Sequence, residues 1–323
     1  MRPIKIGSLS LPGNLFLAPV AGYSEAAFRS VCIDFGADFT FTELISSEAI
    51  SRGSEKTFKM LKRFPNEKQY AIQLFGAKAS VMFDAACALK PFNPSMIDLN
   101  AGCPVPKITK QGAGSALMRD PSLLGNITSS LKKAATEELG GIPVSVKMRS
   151  GWDASSINYF ECAEAAIEGG ADMISLHART KTQGYEGCAD IDHIADLKSR
   201  VKTPVCASGD LWSAKDALNV LQQTGCDAVM FARGAIGRPW VFAETKEQII
   251  GSVKRSKIER QIIIETAFKH LGLLCRMIDE KNACTEMRKV FCAYTKGMEN
   301  SASLRKAIVQ CNSITDYENV FSS

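Results

Sequence analysis

Eight short apolar runs, each followed by a stretch of helical character, constrain this chain more than any other feature. They lie at Leu15–Ala18, Phe39–Glu43, Tyr70–Phe75, Met96–Asn100, Val144–Met148, Met173–His177, Val205–Ser208 and Ala228–Ala232. Between them, segments such as Lys78–Leu89, Ser122–Glu138, Ile157–Glu168 and Ser213–Gln223 read as helices. Strand–helix alternation predicts a parallel sheet, and eight such units in about 240 residues match the size of a (β/α)8 barrel. A doubly wound open sheet is the rival, but no GxGxxG motif follows the first run.

Side-chain parity within the runs says which way each strand faces. Val144, Val146 and Met148 share one face of their strand, while Ser145 and Lys147 share the other. Ile97 and Leu99 likewise oppose Asp98 and Asn100; Ile72 and Leu74 oppose Gln73; Ile174 and Leu176 oppose Ser175 and His177. The apolar set suits the helix-facing side of a barrel, so the polar set points inward. Each strand carries a large polar group near its C-terminal end, where barrel enzymes build their sites. Satisfied polar residues also occur in barrel interiors. A lysine such as Lys147, however, is costly to bury without a partner, so it is expected to meet water or an anionic ligand.

After the seventh run comes Ser208-Gly209-Asp210, and after the eighth Arg233-Gly234-Ala235-Ile236-Gly237-Arg238. Barrels often hold phosphate with these two loops, because glycines let backbone N–H groups approach the oxygens and an arginine adds a charge-assisted contact. The same glycines would also serve ordinary βα turns. A phosphate by itself would not separate a flavin mononucleotide from a sugar phosphate.

The composition is that of globular material, and a chain of 323 residues accommodates a large barrel plus an appendage. No stretch approaches the ~20 apolar residues of a membrane span, and the N-terminal MRPIKIGSLSLPGNL has no signal-peptide core. A soluble, cytoplasmic protein is expected, acting as a monomer. Its 11 cysteines include no CxxC pair and no zinc-ligand spacing, so reduced thiols and no metal are expected. The net charge of +5 is too small to imply nucleic acid. Residues 1–243 hold 26 basic and 24 acidic side chains, against 13 and 10 in residues 244–323. A mildly basic tail is compatible with an RNA-binding appendage and with a solvated helical face.

The segment Asn100-Ala101-Gly102-Cys103-Pro104 brings these readings to one family. It resembles the NxGCP loop of the tRNA-dihydrouridine synthases, flavin enzymes with a barrel fold. LAPVAGYSEAAFR near the start is similar to the family's LAPMAGVTDxPFR. QLFG at Gln73, VKMRSGWD at Lys147, LHARTKTQGYEG at His177, ASGDLWSAKDA, ARGAIGRPWVF and the tail's MRKVFCAYTKG resemble its later motifs in order.

The resemblance implies an FMN-dependent reduction of the C5=C6 bond of uridine in tRNA, with NADPH or NADH as reductant. It makes Cys103 the acid that protonates C5. An unperturbed thiol is largely protonated at neutral pH and can donate without special activation. Pro19, Val20 and Ala21 would lie along the flavin ring, and Gln73 and Lys147 would meet its polar edge. Asn100 and His177 would contact flavin or uracil. Ser208, Gly209, Asp210, Ala232 and Arg233 fall on the phosphate loops. Parity had selected Gln73, Asn100, Lys147 and His177 on its own.

Residues 1–243 are thus expected to form an FMN-binding barrel, and 244–323 a helical tRNA-binding domain with helices at Arg260–Lys281, Cys284–Gly297 and Ser303–Val309. Lys107, Lys110, Arg179, Lys181, Arg288 and Lys289 are candidate contacts to RNA phosphates, although a solvated role suits each lone basic residue as well. The chain departs from the family pattern at Ser208, where asparagine is usual, at Ala232, where glycine is common, and at Val290 and Ala293, where histidine and tryptophan are usual. Two other readings stay open: a flavoenzyme of free pyrimidines, and a non-catalytic RNA-binding protein on the same fold.

Overall fold

Hydrogen bonding between the last strand and the first of the eight closes the sheet on itself. In the computed structural model, which describes residues 2–251 and 258–322, the chain opens with an antiparallel hairpin of β1 (Ile4–Ile6) and β2 (Leu9–Leu11). The barrel follows as β3 (Leu15–Leu17), β4 (Phe39–Ser46), β5 (Tyr70–Phe75), β6 (Met96–Ala101), β7 (Val144–Gly151), β8 (Met173–Thr180), β9 (Val205–Ser208) and β10 (Ala228–Phe231). All neighbours are parallel, and β10 pairs with both β9 and β3. This is the expected (β/α)8 barrel, with every expected strand present.

Parity sorts the barrel into two packed layers, as the sequence pattern requires. Leu15, Ile72, Leu74, Ile97, Leu99, Val144, Val146, Ile174 and Leu176 face outward into the core shared with the helices. Phe16, Phe39, Phe41, Ala71, Met96, Met173, Cys206, Ala228 and Met230 face inward. The hairpin, which lies outside the eight apolar runs, joins this inner cluster through Ile4, Ile6, Leu9 and Leu11, and so plugs the end of the barrel opposite the polar groups. Its sequence signal is short: two apolar-polar-apolar triplets around Gly7, whose φ of 54° suits glycine.

The helices fall where spacing places them, at Ala79–Cys87, Pro121–Glu138, Tyr159–Glu168 and Ala214–Thr224. Local chemistry sets their ends. Asp120 caps the second by accepting the Leu123 N–H at 2.9 Å, with Pro121 in its first turn. Ser213 and Asp216 form a reciprocal capping box on the fourth, and Gly225 ends it at φ 65°.

The tail is helical, with different breaks. Instead of one helix over Arg260–Lys281, a first helix runs Arg260–Cys275 and a second Glu280–Tyr294. Asp279 starts the second by accepting the Asn282 N–H at 3.1 Å, a cap that the apolar spacing does not register. The third spans Ser301–Ile308, and a fourth, Ile314–Ser322, was not expected. Residues 252–257 of the expected appendage lie outside the described residues. A helix over Val241–Ile249 crosses the expected boundary at 243. The tail core, with Leu271, Leu274, Met287, Phe291 and Tyr317, also takes in Ala27 and Trp240 from the barrel part. Among the described residues no helix is long and apolar enough to cross a membrane.

Candidate active site

The inward-facing polar groups line up because parallel pairing sets Gln73 opposite Asp98, Asp98 opposite Ser145, Asn100 opposite Lys147, and Arg149 opposite His177. Their side chains form a chain of hydrogen bonds. Gln73 Nε2 and Ser145 Oγ donate to the two oxygens of Asp98, at 2.6 and 2.5 Å. Asn100 Nδ2 donates to Gln73 Oε1 at 2.7 Å, and Asn100 Oδ1 accepts the backbone N–H groups of Gly102 and Cys103 at 3.2 and 2.9 Å. The loop carrying Cys103 is thereby fastened to the barrel interior. It is fastened again from beyond, where Ser115 N–H donates to the Cys103 carbonyl at 3.0 Å. Gly114 makes this approach possible: a Cβ there would stand 2.7 Å from that carbonyl oxygen.

Above this floor lies a cavity of about 490 Å3, within the size range of small-molecule sites. Its wall includes Pro19, Val20, Ala21, Asn100, Cys103, Lys147, His177, Ser208, Gly209, Asp210, Ala232 and Arg233. Eleven of the twelve residues expected to hold a cofactor therefore border one space, together with Cys103. Gln73 does not border it; fully buried, it reaches the site through Asn100.

The electrostatics of the cavity are cationic. Burial, then the neighbouring Arg149, lowers the Lys147 pKa to about 8, while Asp98 beneath it pulls the other way. Lys147 remains charged at neutral pH. Burial and then Lys147, Arg149, Arg179 and Arg233 push the His177 pKa far down, so the imidazole is neutral. Asp98 is fully buried, and that burial raises its pKa to about 6. Burial also raises the pKa of the Cys103 thiol, against the Val105 N–H and the two nearby cations, which keeps the thiol protonated.

At the phosphate-loop end, Asp210 stands at φ 50° and receives Arg179 on both oxygens, at 2.8 and 2.7 Å. Arg233 Nη2 lies 3.7 Å from the same carboxylate, and its guanidinium packs over the rings of Tyr185 and Trp212, at 4.1 and 4.7 Å. Glycine is required on both loops. A Cβ on Gly209, at φ 113°, would meet His177 at 2.8 Å, and one on Gly234 would meet the Leu211 carbonyl at 2.0 Å. This geometry gives one end of the cavity close-approaching backbone and positive charge, and the other a half-buried thiol.

Comparison with known proteins identifies the family. The family model described as dihydrouridine synthase matches residues 16–322. A probable tRNA-dihydrouridine synthase of Treponema pallidum is 42% identical over 98% of this chain and 94% of its own. The tRNA-dihydrouridine synthase B of Pasteurella multocida is 32% identical over 97% and 92%. The chain belongs to the dihydrouridine synthase family. Among solved structures, histamine dehydrogenase from Rhizobium sp. 4-9 superposes with a TM-score of 0.59 at 16% identity, covering 83% of this chain and 50% of that one, which shows the shared barrel fold.

The basic residues expected at RNA divide into two groups in this dihydrouridine synthase family member. Lys107 and Lys110 are exposed on and just after the short helix Pro106–Thr109 that follows Cys103, and Lys181 lies 4.4 Å over the Trp152 ring. The other three have partners within the protein. Arg179 is buried and, besides Asp210, donates to the carbonyls of Glu186 and Gly187 at 3.2 and 2.6 Å, so it presents no open face to an RNA backbone. Arg288 donates to the Cys311 carbonyl and to Asn312 Oδ1, both at 2.8 Å. Lys289 donates to the Gly22 carbonyl at 2.6 Å. Of the departures from the family pattern, Val290 is buried in the tail core, and the Ala293 backbone packs where a Cβ on Gly237 would reach it at 2.4 Å.

Sequence reasoning missed Arg149, Tyr185 and Trp212. Arg149 shares Lys147's inward parity and donates to the carbonyls of Gly102, Thr180 and Gly184 at 3.0, 2.8 and 3.0 Å, so the pattern itself contained it. The two aromatics are exposed on loops, where periodicity gives no signal.

Proposed function

We propose that this protein reduces uridine in tRNA to dihydrouridine, with Cys103 as the proton donor. The observation that carries the reading is the Cys103 thiol, held protonated at the edge of a cavity that also contains Lys147, a neutral His177 and two cation-lined glycine loops. The residues suit FMN. The cavity has apolar wall at Ala18, Val20 and Met230, and its Gly209, Gly234 and Arg233 end is built for a phosphate.

Held there, FMN would supply hydride chemistry at C6 of the uracil, with NADPH or NADH as the source of its electrons. Cys103 gives its proton to C5, and the thiolate left behind is reprotonated from solvent. Lys147 would offer positive charge to the flavin's polar edge, with Asn100 and His177 lining the same cavity. Arg233 and the backbone of Gly209 and Gly234 hold the phosphate. The Asp210 carboxylate is engaged by Arg179, which reduces its repulsion of that group. The target uridine leaves its stack to enter the mouth, and Lys107, Lys110 and Lys181 meet flanking RNA phosphates. The helical tail from residue 244 cradles the tRNA, and the enzyme acts as a cytoplasmic monomer.

The test is to incubate purified protein with FMN, NADPH and unmodified tRNA and to digest the RNA for mass spectrometry. Dihydrouridine in the digest is expected. Unmodified tRNA, with uracil or orotate instead reoxidising the reduced protein, would overturn this reading in favour of a free-pyrimidine enzyme.

A further inference from the structure

The loop over Pro19–Tyr23 forms one wall of the cavity, yet two of the groups that hold it come from elsewhere in the chain. Gly22 N–H donates to Glu43 Oε2, and Gly22 carbonyl accepts from Lys289 Nζ at 2.6 Å. Glu43 reaches this point because β4 is irregular between Phe41 and Leu44, a bulge that turns its side chain toward the loop. Lys289 reaches it from the tail helix Glu280–Tyr294, and its ammonium also lies 4.6 Å from the centroid of the Tyr23 ring. Both polar groups of the Gly22 residue are thus taken by charged side chains from two separate elements. Gly22 stands at φ 73°, and a Cβ there would come within 3.1 Å of the ammonium, so the glycine leaves the space the lysine uses.

We propose that Lys289 is a positioning residue of the flavin site: with Glu43 it clamps Gly22 and fixes the Pro19–Ala21 wall from outside the barrel. The proposal rests on the flavin reading of the cavity. It assigns to the tail a share in cofactor binding, separate from any contact with RNA. An RNA phosphate at Lys289 would have to compete with the Gly22 carbonyl and the Tyr23 ring for the same ammonium.

The test measures two affinities of the full-length protein: FMN binding to the flavin-free form by fluorescence quenching, and tRNA binding at saturating FMN. Lys289→Met is expected to weaken FMN binding about three- to tenfold, the range for the net worth of one ordinary hydrogen bond, and to leave tRNA affinity unchanged. Lys289→Arg, which keeps a donor on a stem of similar length, restores most of the loss. Glu43→Ala removes the other half of the clamp and shifts FMN binding in the same direction, which keeps the test valid if Lys289→Met does not fold. Lys269→Ala is the control, since it cuts the 2.7 Å pair with Asp34 at the same junction between tail and barrel without touching the loop. FMN affinity within about twofold of wild type in the clamp variants, or an equal loss in Lys269→Ala, overturns the proposal. Wild-type protein that takes up no FMN overturns the flavin reading itself, a distinct result.

Discussion

Asn100 Oδ1 accepts the Cys103 N–H at 2.9 Å, so the candidate acid hangs from a residue whose other end is anchored to Gln73 inside the barrel. Gln73 is fixed in turn by Asp98, a carboxylate that can only accept when ionised. That single constraint orients both amides: each turns its NH2 toward the deeper residue, which leaves the Asn100 oxygen facing the loop.

Asn100→Ala is expected to keep the fold and lose activity. The loop loses two hydrogen bonds, and a small misplacement of the thiol costs on the order of 10²-fold in kcat. Steady-state kinetics with tRNA measure this. An unchanged kcat would mean that the Ser115 and Arg149 contacts suffice to hold the loop.

Cys103→Ala is expected to bind FMN and oxidise NADPH normally while forming no dihydrouridine. Stopped-flow flavin reduction and product analysis on one preparation separate the half-reactions. Full product formation would remove the proton-donor role.

Activity is expected to fall on the alkaline side as Lys147 loses its proton near pH 8, before the Cys103 thiol, whose pKa is raised above its ordinary value. A pH profile of kcat reads this directly. Lys147→Arg should move the alkaline limb upward, because a guanidinium stays charged throughout.

Lys147→Met should stabilise the flavin-free protein by about 1–3 kcal/mol while weakening FMN binding and activity. The folded-state pKa of Lys147 is depressed to about 8, so its penalty is full below that pH and fades as pH rises toward the unfolded value. The comparison is cleanest below pH 6, where Asp98, with its pKa of about 6, is already protonated. Denaturant melts of both proteins provide the measurement.

Arg179→Leu is expected to destabilise the fold by about 2–4 kcal/mol, since it leaves the partly buried Asp210 with the Ala189 N–H and, as its cationic partner, the longer contact from Arg233. Asp210 has a lowered pKa because Arg179 and the Ala189 N–H outweigh its burial, so the pair's contribution is present above the usual carboxylate range and lost as pH falls through the folded value. If Arg179 instead served RNA alone, the variant would melt like wild type and bind tRNA less tightly.

The barrel was legible because its signal is redundant. Eight apolar runs and the parity of Val144–Met148 or Ile97–Asn100 all require the same closed sheet. The site was legible where it lies on strands, as with Asn100, Lys147 and His177. It was less so on loops: Tyr185 and Trp212 flank Arg233 across two connections, and nothing in either local sequence announces the meeting. Internal partners of the basic residues were illegible for a related reason. Arg179, Arg288 and Lys289 are basic in any composition, but the carbonyls and carboxylate that accept from them are distant in sequence or carry no residue-type signal.

The plug formed by the Ile4–Leu11 hairpin sets an order of events during synthesis. Ile4, Ile6, Leu9 and Leu11 find their partners among residues as late as Met230, and β3 finds its second neighbour only in β10. At ~10 residues per second, about 20 s of synthesis separate this greasy hairpin from the last residues of its socket. The hairpin is therefore made well before the residues that bury it, and until then its apolar faces stay open to water.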